Sequence, residues 1–321
     1  MQFDPPIAEA INANVTTSFN MCEFARNCSK LRQLTTTSTA YVQPHIEGPI
    51  YEELVKLPCD AISLLDGIES GQITEEDALE ITGHPNTYTL TKCLAEHIIM
   101  GYETVLPLTI VRPSIISASR CFPVPGWIDS HAAFAGFIAA FGLGILHVVD
   151  GNVNGRGDIV PVDDVARQLI DTTLKLGNVS KDSRIVYAVA GWQNSVPWRA
   201  CVSTITEFFN GKPPGPGGKA KLNNFGPRNL MYHFHDIVRQ KIPFAVSKWH
   251  FGVVGDTKMR SKTAKIANLV ESINKVFPYF VHHSFDFRPR NDLLGNLNCE
   301  NYVRSVCTGV ERYLLRKGEK L

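Results

Sequence analysis

The run from Leu106 to Ile116, LPLTIVRPSII, constrains the fold more than any other stretch, because it is apolar at consecutive rather than alternate positions. A strand with apolar side chains on both sides must be covered on both sides, the condition of a strand inside a parallel sheet. Its surroundings agree. Leu34 to Val42, LTTTSTAYV, is rich in β-branched residues and runs into a turn at Gln43-Pro44, so it reads as an earlier strand. Between the two, Leu90, Leu94, His97 and Ile98 recur at helical spacing over Asn86 to Tyr102. Strand, helix and strand predict a βαβ unit. Asp158 to Val165 then leads into a helix through Leu176, and Arg184 to Ala190 is a further strand. Ahead of all these, Ile7, Ile11, Val15, Phe19 and Cys22 mark an amphipathic helix within 5–30.

The expected class is α/β, a doubly wound parallel sheet followed by a mostly helical lobe. A chain of 321 residues is long enough for one large domain or two lobes. The loop GKPPGPGGK at 211–219 predicts a division between 1–210 and 220–321. Ala132 to Leu146 is apolar throughout but, at fifteen residues, too short for the ~20 that span a bilayer, so it reads as a buried or interfacial helix.

Charge excludes one class of function. A net charge of +1 does not supply the concentrated basic surface of a protein held by nucleic-acid phosphates. The balance is uneven along the chain, however. Residues 47–80 hold ten acids against Lys56, and 211–265 hold eleven Lys or Arg against Asp236 and Asp256. The eight cysteines form no CxxC pair and no zinc-type spacing, so free thiols in a reducing, intracellular compartment and no metal are expected. No basic segment followed by an apolar run opens the sequence, and KGEKL at its end is not a peroxisomal SKL address.

The chemistry points to Tyr88 and Lys92, four residues apart and so on one face of the predicted helix. A phenol, with an ordinary pKa near 10, becomes a useful acid near neutrality when an ammonium stabilises its phenolate. Lys92 would supply that charge, and a hydroxyl from the strand end Ser38-Thr39 would hold the carbonyl oxygen that receives the proton. Spacing alone does not decide this, since Tyr313 and Lys317 share it. Only Tyr88 stands between a strand ending in Ser-Thr and an apolar strand ending in Arg-Pro-Ser.

In order along the chain, STAYV (38–42), PNTYTLTKCLAE (85–96), IVRPSII (110–116), PVPGWID (123–129), DIVPVDDVA (158–166) and VYAVAGWQNSVPW (186–198) resemble the motifs of fatty acyl-CoA reductases, extended short-chain dehydrogenases with a Rossmann-type sheet. The final hundred residues resemble that family's helical C-terminal domain. The resemblance implies that Tyr88 is the proton donor, that Lys92 lowers its pKa while bonding the nicotinamide ribose, and that Thr39 orients the carbonyl, with Ser38 as second choice. Pro113, Ser114 and Ile115 would lie beside the nicotinamide of NADPH. Asn14, Gly126, Trp127 and Asp158 would shape the substrate side, although Asn14 reads equally well as helix surface. The implied reaction reduces a long-chain acyl-CoA to aldehyde and then alcohol. Peroxisomal or endoplasmic-reticulum membranes would be its setting, with peripheral membrane association, and the basic 211–265 region would meet CoA phosphates or a phospholipid surface.

One part of the pattern is not found. A dinucleotide needs a glycine-rich turn between an early strand and a helix N-terminus, and nothing before Gln43 provides it. Gly215 to Ala220, GPGGKA, follows two prolines rather than a strand. The expectation is therefore a partial Rossmann-type sheet whose N-terminal strands are missing, binding NADPH weakly or not at all. Gln43, Cys93 and the NSVPW turn are smaller departures from the family pattern. Two alternatives stay open: another extended short-chain dehydrogenase acting on a sterol, sugar or carrier-bound acyl group, and a non-catalytic form that binds lipid or a partner through 131–149 and the basic lobe.

Overall fold

Every residue of Leu108–Pro113 is buried, and this strand is the middle of the central sheet. The computed structural model describes residues 5–174 and 184–315, which fall into two units that interleave along the chain. The first comprises the chain to Ile116, Val162–Gln193 and Phe285–Gly295; the second comprises Ser117–Pro161, Asn194–Ser284 and the chain from Asn296. The glycine- and proline-rich loop at 211–219 lies inside the second unit, and Val162–Gln193 and Phe285–Gly295 both return to the first.

The first unit contains α1 (Ile7–Ile11), α2 (Thr17–Arg26), β1 (Leu34–Thr37), β2 (Pro49–Ile50), α3 (Ala61–Glu69), α4 (Glu75–Thr82), α5 (Thr87–Met100), β3 (Leu108–Pro113), α6 (Val162–Leu174), β4 (Ile185–Ala188) and β5 (Asp286–Phe287). Its sheet is α/β in construction, in the order β1-β3-β4. All strands are parallel, with Thr37 opposite Val111 and Pro113 opposite Ala188. Alternation along the strands explains the two layers of helix. Leu34, Leu108, Ile110 and Ile185 face the layer holding Ile99 of α5 and Cys22 and Ala25 of α2. The opposite face meets α6, where Thr173 Oγ1 donates to Thr35 Oγ1 at 2.9 Å.

Three local readings of the sequence change. The strand predicted over Leu34–Val42 ends at Thr37; Thr39 caps a short 3₁₀ turn, Ala40–Val42, by accepting the Tyr41 N–H at 3.3 Å. The single helix predicted within 5–30 is interrupted by a π-helical turn, Asn12–Thr16. That turn shifts the phase of the apolar stripe, so Phe19 is 46% exposed and rests edge-on against Tyr102, while Ile11, Val15 and Cys22 are buried. The helix expected to reach Leu176 is described to Leu174, and Leu176 lies outside the described residues.

In the second unit the apolar stretch forms the helix Ala133–Gly142, whose residues from Phe134 to Gly142 are all buried, so it offers no lipid-facing surface. Segment 220–321 is not purely helical: Asn224–Gly226 pairs with Val148–Asp150, and Asp286–Phe287 joins Pro49–Ile50 of the first unit.

His84 fastens the turn after β1 to the start of α5. Its ring is buried, and since the Val42 carbonyl 2.9 Å away can only accept, Nε2 carries the proton. Burial drives its pKa from the ordinary 6.5 to about 4. Above pH 6.5 both folded and unfolded histidine are neutral; between 6.5 and 4 the unfolded chain takes up a proton that the folded one refuses. Urea denaturation across this range is expected to show a loss of about 3 kcal/mol attributable to His84, and His84→Gln should flatten that part of the profile.

Candidate active site

Parallel strands bring the residues that follow them to one end of the sheet, where open α/β sheets bind their ligands. Ser38 and Thr39 follow β1 there, Ser114 and Ile115 follow β3, and Val189 follows β4. A crossover helix runs antiparallel to the strands it joins, so the first turn of α5 overlies this same end. The start of α5 is defined by Asn86, whose side chain accepts the Thr89 N–H at 2.9 Å, and by Thr87, whose hydroxyl donates to the Pro5 carbonyl at 2.8 Å. Tyr88 is therefore in the first turn and Lys92 one turn further along.

Thr39 is hydrogen-bonded to the Tyr88 side chain. Burial pushes the phenol above its ordinary pKa, and the Thr39 hydroxyl, which stabilises the phenolate, opposes this. Burial lowers the Lys92 pKa, and Glu96, one turn beyond it, pulls it back up. The phenol is thus tuned by Thr39, whereas the charge that acts on Lys92 is Glu96. Ser38 precedes Thr39 in extended backbone, where successive side chains alternate, so its hydroxyl points to the other side of the chain. Ser38 Oγ is buried without a hydrogen-bond partner.

Asn14 sits in the π-helical turn and donates to Thr91 Oγ1 at 3.0 Å, fixing that turn against α5. Pro113 ends β3; the buried Ser114 donates its N–H to Ala188 at 3.3 Å, and Ile115 is half-buried. Gly126, Trp127 and Asp158 belong to the second unit. Gly126 has φ +81°, and a Cβ there would lie 2.5 Å from the Ser305 carbonyl oxygen, so packing alone requires glycine. Trp127 is half-buried, and its N–H donates to Val124 at 3.0 Å; Asp158 is buried. Tyr313 lies in the second unit, and Lys317 is outside the described residues. Cys93 is buried beside Val42 and Val55, its thiol pushed up to about 12, so it serves as the small apolar residue it replaces.

The sequence reading passed over Glu96 and Arg112. Both side chains are 1% exposed and pair through Arg112 Nε and Nη2, with Nε 2.9 Å from Glu96 Oε1, while Arg112 Nη1 donates to the Glu53 carbonyl at 2.9 Å. Glu52, also buried, accepts the Tyr187 N–H at 2.7 Å and pairs with Arg290 at 3.3 Å. Two features could have drawn attention to the pair: an arginine in the middle of an otherwise apolar strand, and a glutamate continuing the four-residue series Tyr88, Lys92, Glu96.

Comparison with known proteins follows the same outline. The family model described as male sterility protein matches residues 1–169, more than half of the chain. Fatty acyl-CoA reductase 2 of Mus musculus is 26% identical across 99% of this chain and 65% of its own length, and fatty acyl-CoA reductase 1 of Homo sapiens gives the same three values. The chain thus spans 65% of the length of these curated relatives. The terminal R domain from the myxalamid PKS-NRPS biosynthetic pathway shares the fold, with a TM-score of 0.59 at 14% identity over 99% of this chain and 67% of that one.

Removing one partner of a buried ion pair strands the other charge in a site that cannot solvate it. Arg112→Met is expected to lower stability to urea by about 3–5 kcal/mol, and adding Glu96→Leu to recover much of the loss. Equal destabilisation by the single and double variants would show that Arg112 acts through packing alone.

Proposed function

The chain belongs to the male sterility protein family, among the fatty acyl-CoA reductases its motifs resemble, and we propose that it carries the proton-donating side of a nicotinamide-dependent reductase acting on fatty acyl thioesters. The observation that carries this reading is the hydrogen bond between the Thr39 and Tyr88 side chains, with Lys92 one turn away, at the carboxyl end of a parallel sheet.

The cofactor fits the site in part. The Lys92 ammonium is influenced by burial and by the charge of Glu96 alone, which suits a group that takes up ribose hydroxyls, and Pro113, Ser114 and Ile115 lie at the strand end where a nicotinamide would sit. No strand followed by a glycine-rich turn and a helix is present among the described residues to take the pyrophosphate. Bound NADPH would supply hydride to the carbonyl carbon. Thr39 turns its hydroxyl from the phenol to the carbonyl oxygen, and Tyr88 gives its proton to that oxygen as negative charge develops on it. Because burial keeps the phenol protonated well past neutral pH, Tyr88 is a donor rather than a base, and an alkoxide, the stronger base, accepts its proton readily. Lys92 would hold the ribose hydroxyls and, one turn from Tyr88, would stabilise the phenolate that remains. With an acyl-CoA thioester, the hydride of one NADPH and departure of the CoA thiolate would give the aldehyde; the hydride of a second NADPH and the proton of Tyr88, restored from solvent, would give the alcohol. Gly126, Trp127 and Asp158 keep their substrate-side assignment by family motif alone, and Ser38, whose hydroxyl points away from that of Thr39, stays second choice by the same motif alone.

Titrating the chain with NADPH should show weak binding; a micromolar dissociation constant would contradict the incomplete fit. In a chimera that places a dinucleotide-binding strand–turn–helix segment ahead of the chain, NADPH oxidation with palmitoyl-CoA is expected, and Tyr88→Phe should reduce it by about 10²–10⁴-fold. Retention of the rate in Tyr88→Phe would remove Tyr88 from this role. Turnover of a sterol or sugar in place of palmitoyl-CoA would assign the chain to another extended reductase.

A further inference from the structure

Residues 230–253 of the second unit run as a nearly continuous helix: Leu230–His235, a π-helical stretch Asp236–Lys241, then Ile242–Val253. A helix on the outside of a folded unit ordinarily buries an apolar stripe and shows water its polar face. Here the pattern is reversed. None of the residues from Ile242 to Val253 is buried, and six large apolar side chains, Phe234, Val238, Ile242, Val246, Trp249 and Val253, are exposed. Their spacing of four, four, four, three and four places them along one face. Trp249 is 70% exposed. The opposite face, with the half-buried Phe244 and Phe251, packs toward the helix Thr257–Val276. The outward stripe is therefore additional to the packing seam and is not explained by it.

Cations border the stripe. At 100° per residue, Lys241 and Lys248 fall on one flank, and the adjoining helix opens with exposed Lys258, Arg260, Lys262 and Lys265. Residues 236–268 carry seven Lys or Arg against Asp236 and Asp256. Both acids are occupied: Asp236 is buried and paired with Lys241 at 2.7 Å, and Asp256 caps the Met259 N–H. An exposed apolar stripe carrying a tryptophan and flanked by exposed cations is what lies in the headgroup layer of an anionic bilayer. No helix among the described residues is long and apolar enough to cross a membrane, which leaves this one lying along the surface.

We propose that the 230–253 helix is a membrane-docking face: its Phe234-to-Val253 stripe enters the boundary between headgroups and acyl chains, and Lys258, Arg260 and Lys262 meet lipid phosphates. Two other occupants fit less well. A second copy of the chain would set the same cations against each other across a two-fold axis. A soluble phosphate compound would use the cations but leave the apolar stripe in water. The proposal is independent of the reductase reading, since none of Thr39, Tyr88 and Lys92 takes part in it.

The test is co-sedimentation of the chain with phosphatidylcholine vesicles with and without phosphatidylserine. Binding should be about tenfold or more stronger with phosphatidylserine at low salt and should decline as salt rises. Val246→Glu with Trp249→Glu should abolish it, and Lys258→Glu with Arg260→Glu and Lys262→Glu should erase the preference for phosphatidylserine; circular dichroism melts should match the wild type in both. Trp249→Phe should keep binding but lose the vesicle-induced blue shift of tryptophan emission. Absence of binding to phosphatidylserine vesicles at low salt would overturn the proposal. So would binding that needs the cations but not the stripe, or a stripe variant that changes only the oligomeric mass in sedimentation equilibrium.

Discussion

The buried pair between Glu96 of α5 and Arg112 of β3 is the constraint on which the rest of the first unit depends. A guanidinium in the middle of a wholly buried strand is tolerable only if a carboxylate meets it, and Glu96 does so from the helix layer. That contact fixes both the rotation and the height of α5 over the sheet. Tyr88 lies eight residues earlier on the same helix, about 12 Å along its axis. It is therefore carried to the carboxyl end of the strands, where Thr39 waits past β1. Lys92 falls between them and feels the same carboxylate. One buried ionic contact thus sets the position of the half-buried Tyr88 phenol, the proton donor we propose.

The long-range plan of this unit was legible because strongly buried strands leave an unambiguous trace. Leu108–Pro113 and the helix Thr87–Met100 lie within the predicted stretches, and the parallel order follows from strand, helix and strand. Details decided by hydrogen bonding rather than by apolar periodicity were not legible. The π-helical turn Asn12–Thr16 moves Phe19 out of the stripe without altering a single hydrophobic letter, and the 3₁₀ turn Ala40–Val42 uses residues that would suit a strand equally well. The interleaving of the two units depends on where Phe285–Gly295 packs, which local composition does not encode.

Charge patterning divided in a similar way. The acid-rich segment 47–80 reads as a solvated face, yet Glu52 is buried, linking Tyr187 to Arg290, and Thr74 with Asp77 forms a capping box at the start of α4. The basic segment 211–265 keeps most of its cations in water. Counting charges located both regions, but only burial separated structural acids from available cations. Likewise the most apolar stretch, Ala133–Gly142, is internal, while the less apolar 230–253 segment carries the exposed hydrophobic face.

The central claim is that the packing of α5 against the turn Ala40–Val42 makes Tyr88 a half-buried, protonated phenol under the control of Thr39. A pH titration of the protein labelled with ¹³C at tyrosine Cζ, with the Tyr88 resonance assigned by substitution, tests it directly. The account predicts a midpoint above the ordinary 10, moving higher still in Thr39→Val. A midpoint at or below 10, or one indifferent to Thr39→Val, would contradict it.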